Sequence, residues 1–128
     1  MSTNNKYNNE VVEKWGNTES YKEYSTKSKD YTKEKWNSIE AGMNDIFYEF
    51  SVCMKNDTSY DSNEVQNVVL KLRNYISENF YNCTIEILYG LGQMYSADER
   101  FKNNIDKHAL GTAEFVKKAI EVYCLNNL

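Results

Sequence analysis

The sequence predicts an all-α fold. None of its 128 residues is proline, and no stretch alternates apolar and polar residues in the manner of a half-buried strand. Apolar residues recur instead at spacings of three and four, which is the period of an amphipathic helix. A chain of this length can bury one hydrophobic core. We therefore expect a single helical bundle.

The N-terminal region carries aromatic rings without aliphatic partners. The stretch from Trp15 to Trp36, WGNTESYKEYSTKSKDYTKEKW, contains five aromatic residues and no Val, Leu, Ile or Met. Gly16 interrupts its first turns, and Thr18 can cap a restart. Short helices are marginal in water unless something packs against them. We expect residues 1–31 to form an N-terminal lid segment and residues 32–128 to form the helical core.

The core begins with two amphipathic helices. Thr32 can cap the first of them, whose apolar face comprises Trp36, Ile39, Met43, Ile46, Phe47, Phe50 and Met54. The polar stretch KNDTSYDSN then predicts a loop. Ser62, or Asp61 with Glu64, supplies the start of the second helix, whose apolar face comprises Val65, Val68, Val69, Leu72, Ile76 and Phe80.

Two further helices complete the predicted core. One starts at Thr84 and carries Ile85, Leu88, Leu91 and Tyr95. It contains Gly90 and Gly92, each of which costs a helix about 1 kcal/mol relative to Ala, so we expect close approach by another helix or by a ligand at both positions. Ser96 and Glu99 have the spacing of a capping box that opens a short turn. The last helix is predicted to run from Ile105 to Tyr123.

Charge and composition argue against several classes of function. The net charge is −4 and acids alternate with bases, so nucleic-acid binding has no electrostatic support. No apolar run approaches the roughly 20 residues that span a bilayer, and MSTNNKYNNE lacks the apolar part of a secretory signal. Cys53, Cys83 and Cys124 are an odd number of thiols, as is typical of a reducing compartment. We expect a cytoplasmic protein, either a monomer or a weak dimer.

The motifs of this sequence occur in the order of a known family. They are WGNTESYKEY, KDYTKEKW, ENFYNC, LGQMYSADERF and GTAEFVKKAIEVY. This order resembles that of the TipAS-like antibiotic-recognition domain, which is usually the C-terminal part of MerR-type transcription activators. The resemblance extends from Glu10 to Tyr123, and MYSADERF is its most specific part.

The resemblance implies a fold and a function. The fold is a globin-like, antiparallel helical bundle without haem. Its ligands are large apolar or peptide-like antibiotics, thiopeptides among them, which bind between the core and a lid segment that can fold over them. The lid would contribute Trp15, Tyr21, Tyr24 and Tyr31, and the core would contribute Trp36, Phe47, Tyr75, Phe80, Tyr81, Met94 and Tyr95. Alternatively, the lid rings pack permanently on the bundle as ordinary core.

Cys83 is the candidate for covalent attachment of a ligand. It lies just before the predicted helix start at Thr84, where a helix N-terminus can lower the pKa of a thiol. In the family, a cysteine in this region can add to the dehydroalanines of a thiopeptide. The alternative is a buried cysteine that only packs.

Nothing else in the sequence suggests a cofactor or catalysis. His108 is the only histidine, and no metal-ligand spacing occurs. Asp98 and Arg100 are expected either to pair locally or to face water. No base, nucleophile and orienting group are evident, so we expect no enzyme, no metal and no cofactor.

The sequence lacks the DNA-binding half of a MerR activator. A complete chain would therefore sense or sequester the antibiotic on its own, whereas an excised one would be the sensor of a regulator. A second functional reading is a helical protein–protein interaction module that derives from such a sensor.

Overall fold

The computed structural model describes the backbone of residues 19–128 and side chains from Lys22 onward. Within this range the backbone forms helices and no strand, which confirms the predicted all-α class. The helices are α1 (Glu19–Ser28), α2 (Lys33–Lys55), α3 (Asn63–Asn79), α4 (Ile85–Ala97), α5 (Glu99–Asp106) and α6 (Thr112–Asn126).

Three helices begin where the sequence predicted. The Thr32 hydroxyl accepts a hydrogen bond from the Lys35 N–H at 3.1 Å and caps α2. Ser62 caps α3 in the same way, and so does Thr84 for α4. Such a cap satisfies one of the N–H groups that the first turn leaves unpaired, and it contributes about 1 kcal/mol.

The predicted capping box of Ser96 and Glu99 is wrong. Asp98 is the N-cap of α5, and its carboxylate accepts a hydrogen bond from the Arg100 N–H at 2.9 Å. The same carboxylate pairs with the Arg100 guanidinium at 2.7 Å, which confirms the expected local ion pair. The Ser96 hydroxyl donates instead to the Gln93 carbonyl. α5 is consequently a helix of eight residues rather than a short turn.

The predicted start of the last helix is also wrong. Ile105 belongs to α5, and the chain turns before α6 begins at Thr112. Gly111 stands at the turn with a φ of +94°, a conformation that glycine adopts readily and other residues rarely. The Asp106 carboxylate accepts a hydrogen bond from the Ala113 N–H at 2.8 Å and so caps α6 from the preceding helix. His108 lies in this turn and not on the final helix.

α6 is the central helix of the core, because it packs against α2, α3, α4 and α5. Its closest contact is with α4, where Gly92 lies so near that an added Cβ would be 3.1 Å from Ile120. Gly92 therefore has the close neighbour that the sequence predicted. Gly90 has no close neighbour from another helix, since nothing lies within 4 Å of an added Cβ, and approach by a ligand at Gly90 stays a prediction. The largest fully buried side chains are Phe50, Ile46, Leu72, Leu88, Ile105 and Ile120.

Candidate functional site

Five aromatic residues from distant parts of the chain meet at one end of the bundle. We call Tyr24, Tyr31, Trp36, Phe80 and Tyr81 the aromatic cluster. The Trp36 ring stacks on Phe80 with centroids 6.2 Å apart, and Tyr31 meets Trp36 edge-on at 5.2 Å. Tyr24 contacts both Trp36 and Phe80, and Phe80 contacts Tyr81. The structure thus brings together five of the predicted site residues.

Local structure explains why these rings converge. Tyr24 lies on α1, Trp36 lies on the first turn of α2, and Phe80 is the C-cap of α3. Tyr24 is 9% exposed and Tyr81 is 6% exposed, so both rings are largely buried. Pairs of aromatic rings in such geometries contribute about 0.5–1.5 kcal/mol beyond the area they bury.

Polar contacts hold the lid side of this cluster in place. Hydrogen bonds join α1 and the turn after it to the end of α3 and the loop that follows. Lys27 Nζ donates to the carbonyls of Ser77 (2.9 Å) and Glu78 (3.4 Å), and the Tyr31 hydroxyl donates to the Asn79 carbonyl (2.7 Å). The Asn82 N–H donates to the Glu23 carboxylate (2.7 Å). The last carbonyls of a helix have no partner within the helix. The N-terminal part of the chain therefore caps the C-terminus of α3.

Sequence reasoning missed these polar contacts. Lys27 and Glu23 are separated from their partners by 50 and 59 residues, and no local pattern reports such a pairing. In the structure Asn79 is buried, and its amide donates to the Tyr75 carbonyl at 2.9 Å.

Tyr75 lies one turn before the cluster and is fixed against α2. Its hydroxyl donates to the Ile39 carbonyl at 2.9 Å. The ring lies over Gly42, where an added Cβ would be 2.1 Å from the Tyr75 oxygen. Burial raises the pKa of Tyr75, and Asp45 and Glu78 raise it further, so the hydroxyl remains a neutral donor. A glycine in the middle of α2 could have signalled this close approach.

Phe47, Tyr95 and Met94 lie in the core rather than in the aromatic cluster. Phe47 and Tyr95 meet edge-on at 5.4 Å, and Phe101 contacts Tyr95 from the other side. Both Phe47 and Tyr95 are buried, and burial raises the pKa of Tyr95, with a smaller effect from Tyr81. Met94 is partly buried against the same core. A role for these three residues in binding stays a prediction.

Cys83 is fully buried behind the cluster. Burial raises the pKa of its thiol to about 12, although Arg73 nearby acts in the opposite direction. The net shift is thus opposite to the one expected from the start of α4, and burial is its largest cause. The Cys83 N–H donates to the Ser77 hydroxyl, and its carbonyl accepts from Arg73 Nε at 2.8 Å. Covalent attachment at Cys83 stays a prediction.

Two candidate residues lie outside the description of the site. Trp15 is outside the described residues, and Tyr21 belongs to α1 but its side chain is not described. The division into a lid of residues 1–31 and a core of residues 32–128 also stays a prediction. Its boundary falls in the turn between α1 and α2.

Two other features were sought among the described residues, a metal-binding group and a membrane-spanning helix. Among the side chains of residues 22–128, no three of His, Cys, Asp or Glu are grouped so that they could hold a metal ion. None of the described helices combines the length and the apolar character that crossing a membrane requires.

Comparison with known proteins assigns the chain to a family. The model of the TipAS antibiotic-recognition domain matches residues 7–123. The HTH-type transcriptional activator TipA of Streptomyces coelicolor is 36% identical over 114 residues, which cover 89% of this chain and 45% of TipA. The activator mta of Bacillus subtilis is 33% identical over 118 residues, which cover 92% of this chain and 45% of mta. The chain thus spans about half the length of these relatives.

Solved structures show the same likeness. TipAS from Streptomyces lividans in complex with nosiheptide matches with a TM-score of 0.83 and 33% identity, over 96% of this chain and 86% of that one. The antibiotic-binding domain of a TipA-class multidrug resistance transcriptional regulator matches with a TM-score of 0.65 and 29% identity, over 70% of this chain and 95% of that one. These matches confirm the predicted globin-like helical fold.

Proposed function

Because this chain belongs to the family of TipAS antibiotic-recognition domains, we propose that it binds large apolar or peptide-like antibiotics, such as thiopeptides, at the aromatic cluster. The convergence of five rings from α1, α2 and the end of α3 carries this proposal. Aromatic side chains offer a large contact area at a low cost in conformational entropy, and tyrosine adds a polar tip. The related TipAS domain was solved with nosiheptide bound.

The ligand would lie between the lid and the end of α3. Trp36 and Phe80 present stacked rings from the core side, while Tyr24 and Tyr31 approach from the lid side. The bonds from Lys27 and Tyr31 to α3 carbonyls hold the lid against the cluster. A ligand that inserts among these rings would exchange ring–ring contacts for ring–ligand contacts, and Trp15 and Tyr21 would complete its cover.

Binding would be reversible. Thiol addition requires the thiolate, and the Cys83 thiol is fully buried with a pKa near 12. An adduct at Cys83 would therefore form only with an electrophilic ligand and only after the residues that cover the sulfur have moved.

The biological role would be drug sensing or sequestration inside the cell. The relatives are transcription activators of about twice the length, so this part of the chain corresponds to the ligand-binding part of such a regulator. We propose that it acts as a binding domain and not as an enzyme, and that it makes no direct contact with nucleic acid.

Calorimetric titration with nosiheptide tests this proposal. We expect nosiheptide to bind the native chain in a 1:1 ratio. In Trp36→Ala the Kd should be at least about tenfold higher, because that change removes a ring that contacts three others. Tyr60→Ala is the matched control, since Tyr60 is an exposed ring that contacts Phe115 outside the cluster. Equal affinity of Trp36→Ala and the native chain would contradict the proposed site, and absence of binding would favour the interaction-module reading.

A further inference from the structure

A shallow groove runs along the outer face of α3. Its volume is about 420 Å³, and its described lining consists of Asn67, Leu70, Lys71, Asn74, Tyr75 and Glu78. These residues recur at spacings of three and four, so a single face of α3 supplies them all. At 1.5 Å per residue, the lining extends over about 16 Å. This is a site of elongated shape.

The groove presents hydrogen-bonding groups without net positive charge. Asn67 and Asn74 are exposed, and their amide side chains make no hydrogen bond to another described residue. Leu70 lies between them with 41% of its surface exposed. The Lys71 ammonium is paired with the Glu49 carboxylate at 2.6 Å. The lining thus offers two amides, one aliphatic side chain and the Tyr75 ring, with the Glu78 carboxylate at its end.

The groove ends near the aromatic cluster, because Phe80 of the cluster is the C-cap of the helix that lines the groove. Tyr75, one of the predicted site residues, is part of the lining and is held in position by its hydrogen bond to the Ile39 carbonyl. Glu78, the last lining residue, lies two positions before Phe80, and Lys27 Nζ lies 3.4 Å from its carbonyl oxygen. A ligand that is seated on the cluster and extends past the end of α3 would therefore reach the groove.

We propose that this groove is the second half of the antibiotic site and that it binds the amide edge of an uncharged macrocyclic peptide. The inference rests on the proposed function of the aromatic cluster. A carboxamide both donates and accepts, and so does each peptide bond of such a ligand. Asn67 and Asn74 are about 10.5 Å apart along the helix axis. This distance matches roughly three residues of an extended peptide, so both amides reach one ligand edge.

Other occupants fit this lining poorly. An amphipathic helix of a partner protein needs apolar anchors at successive turns, and Leu70 is the single aliphatic residue of the described lining. A nucleic acid needs unpaired cations, whereas Lys71 is neutralised by Glu49 and Glu78 adds a carboxylate. Peptide amides are the chemistry that the two asparagines match.

Leucine substitutions in the native chain, titrated with nosiheptide, test the inference. Asn67→Leu and Asn74→Leu each remove the amide at nearly constant size on an exposed helix face, where leucine favours the helix. Loss of a hydrogen bond at each position should raise the Kd about fivefold. Asn103→Leu on α5 is the matched control and should leave the Kd unchanged, because Asn103 is exposed and remote from the lining.

A second measurement needs no variant. In the native chain, the side-chain amide resonances of Asn67 and Asn74 should shift when nosiheptide is added, while that of Asn103 stays in place. If both asparagine variants bind as tightly as the native chain while Trp36→Ala binds more weakly, the groove is not part of the site and the aromatic cluster still is. If nosiheptide does not bind the native chain, both proposals fail.

Discussion

The hydroxyl of Tyr31 provides a direct way to weaken the docking of α1. It donates to the Asn79 carbonyl at 2.7 Å, and the contact is partly buried. Tyr31→Phe removes this bond but keeps the ring, which meets Trp36 edge-on at 5.2 Å. The variant therefore isolates the contribution of one hydrogen bond to holding the lid on the core.

The expected magnitude follows from the environment of that bond. A partly buried hydrogen bond between uncharged groups contributes about 1 kcal/mol net. Since 1.4 kcal/mol corresponds to a factor of ten, local opening of α1 should become about fivefold more frequent. The core helices do not depend on this bond, so the free energy of global unfolding should fall by less.

Native-state hydrogen exchange measures this effect residue by residue. In Tyr31→Phe, the amides of residues 23–28 should exchange about fivefold faster than in the native chain, while the slowest amides of α6 keep their rates. Tyr60→Phe is the control, because Tyr60 is exposed and its ring contacts Phe115 away from α1. Unchanged exchange in α1, or equal acceleration throughout the chain, would refute the reasoning.

Three further predictions concern the stability and reactivity of the core. In urea unfolding, Gly90→Ala should stabilise the fold by about 1 kcal/mol, because nothing lies near the added methyl group. Gly92→Ala should destabilise the fold by about 1–3 kcal/mol, because the added methyl group would press against Ile120. The opposite order of stabilities would contradict the packing of α4. Peptide mapping after iodoacetamide treatment at pH 8 should show Cys83 alkylated about a thousandfold more slowly than a free thiol, and rapid alkylation of the folded chain would be inconsistent with a pKa near 12. Burial and neighbouring lysines lower the pKa of His108 in the fold, so the unfolded chain takes up its proton first and stability should fall as the pH drops below about 6.5. In His108→Phe, the free energy of unfolding should fall less between pH 7 and pH 5.5 than it does in the native chain. An identical dependence on pH in both chains would contradict a contribution from His108.

Local sequence signals predicted much of the fold. The caps at Thr32, Ser62 and Thr84 were correct because a capping hydroxyl acts on an N–H three residues away. The errors arose where several residues could perform the same local role. Asp98, and not Ser96, is the N-cap of α5. The apolar pattern from Ile105 to Tyr123 would also suit one long helix, but the turn at Gly111 interrupts it.

The candidate site depended on information beyond local pattern. The grouping of lid and core rings came from the family resemblance, because helical periodicity does not report which faces meet. The bond from Lys27 to the end of α3 joins residues 50 positions apart, so only the tertiary structure reveals it. The direction of the pKa shift of Cys83 could not be predicted from the sequence for the same reason. The thiol is buried by the packed helices and not by its neighbours in sequence.

The indole N–H resonance of Trp36 tests the central claim most directly, because this ring contacts Tyr24, Tyr31 and Phe80. In a Trp15→Phe variant, Trp36 is the single tryptophan and its indole signal is unambiguous. On titration with nosiheptide, we expect this resonance to shift and to saturate at one equivalent. A resonance that stays in place while other signals report saturated binding would contradict recognition at the aromatic cluster.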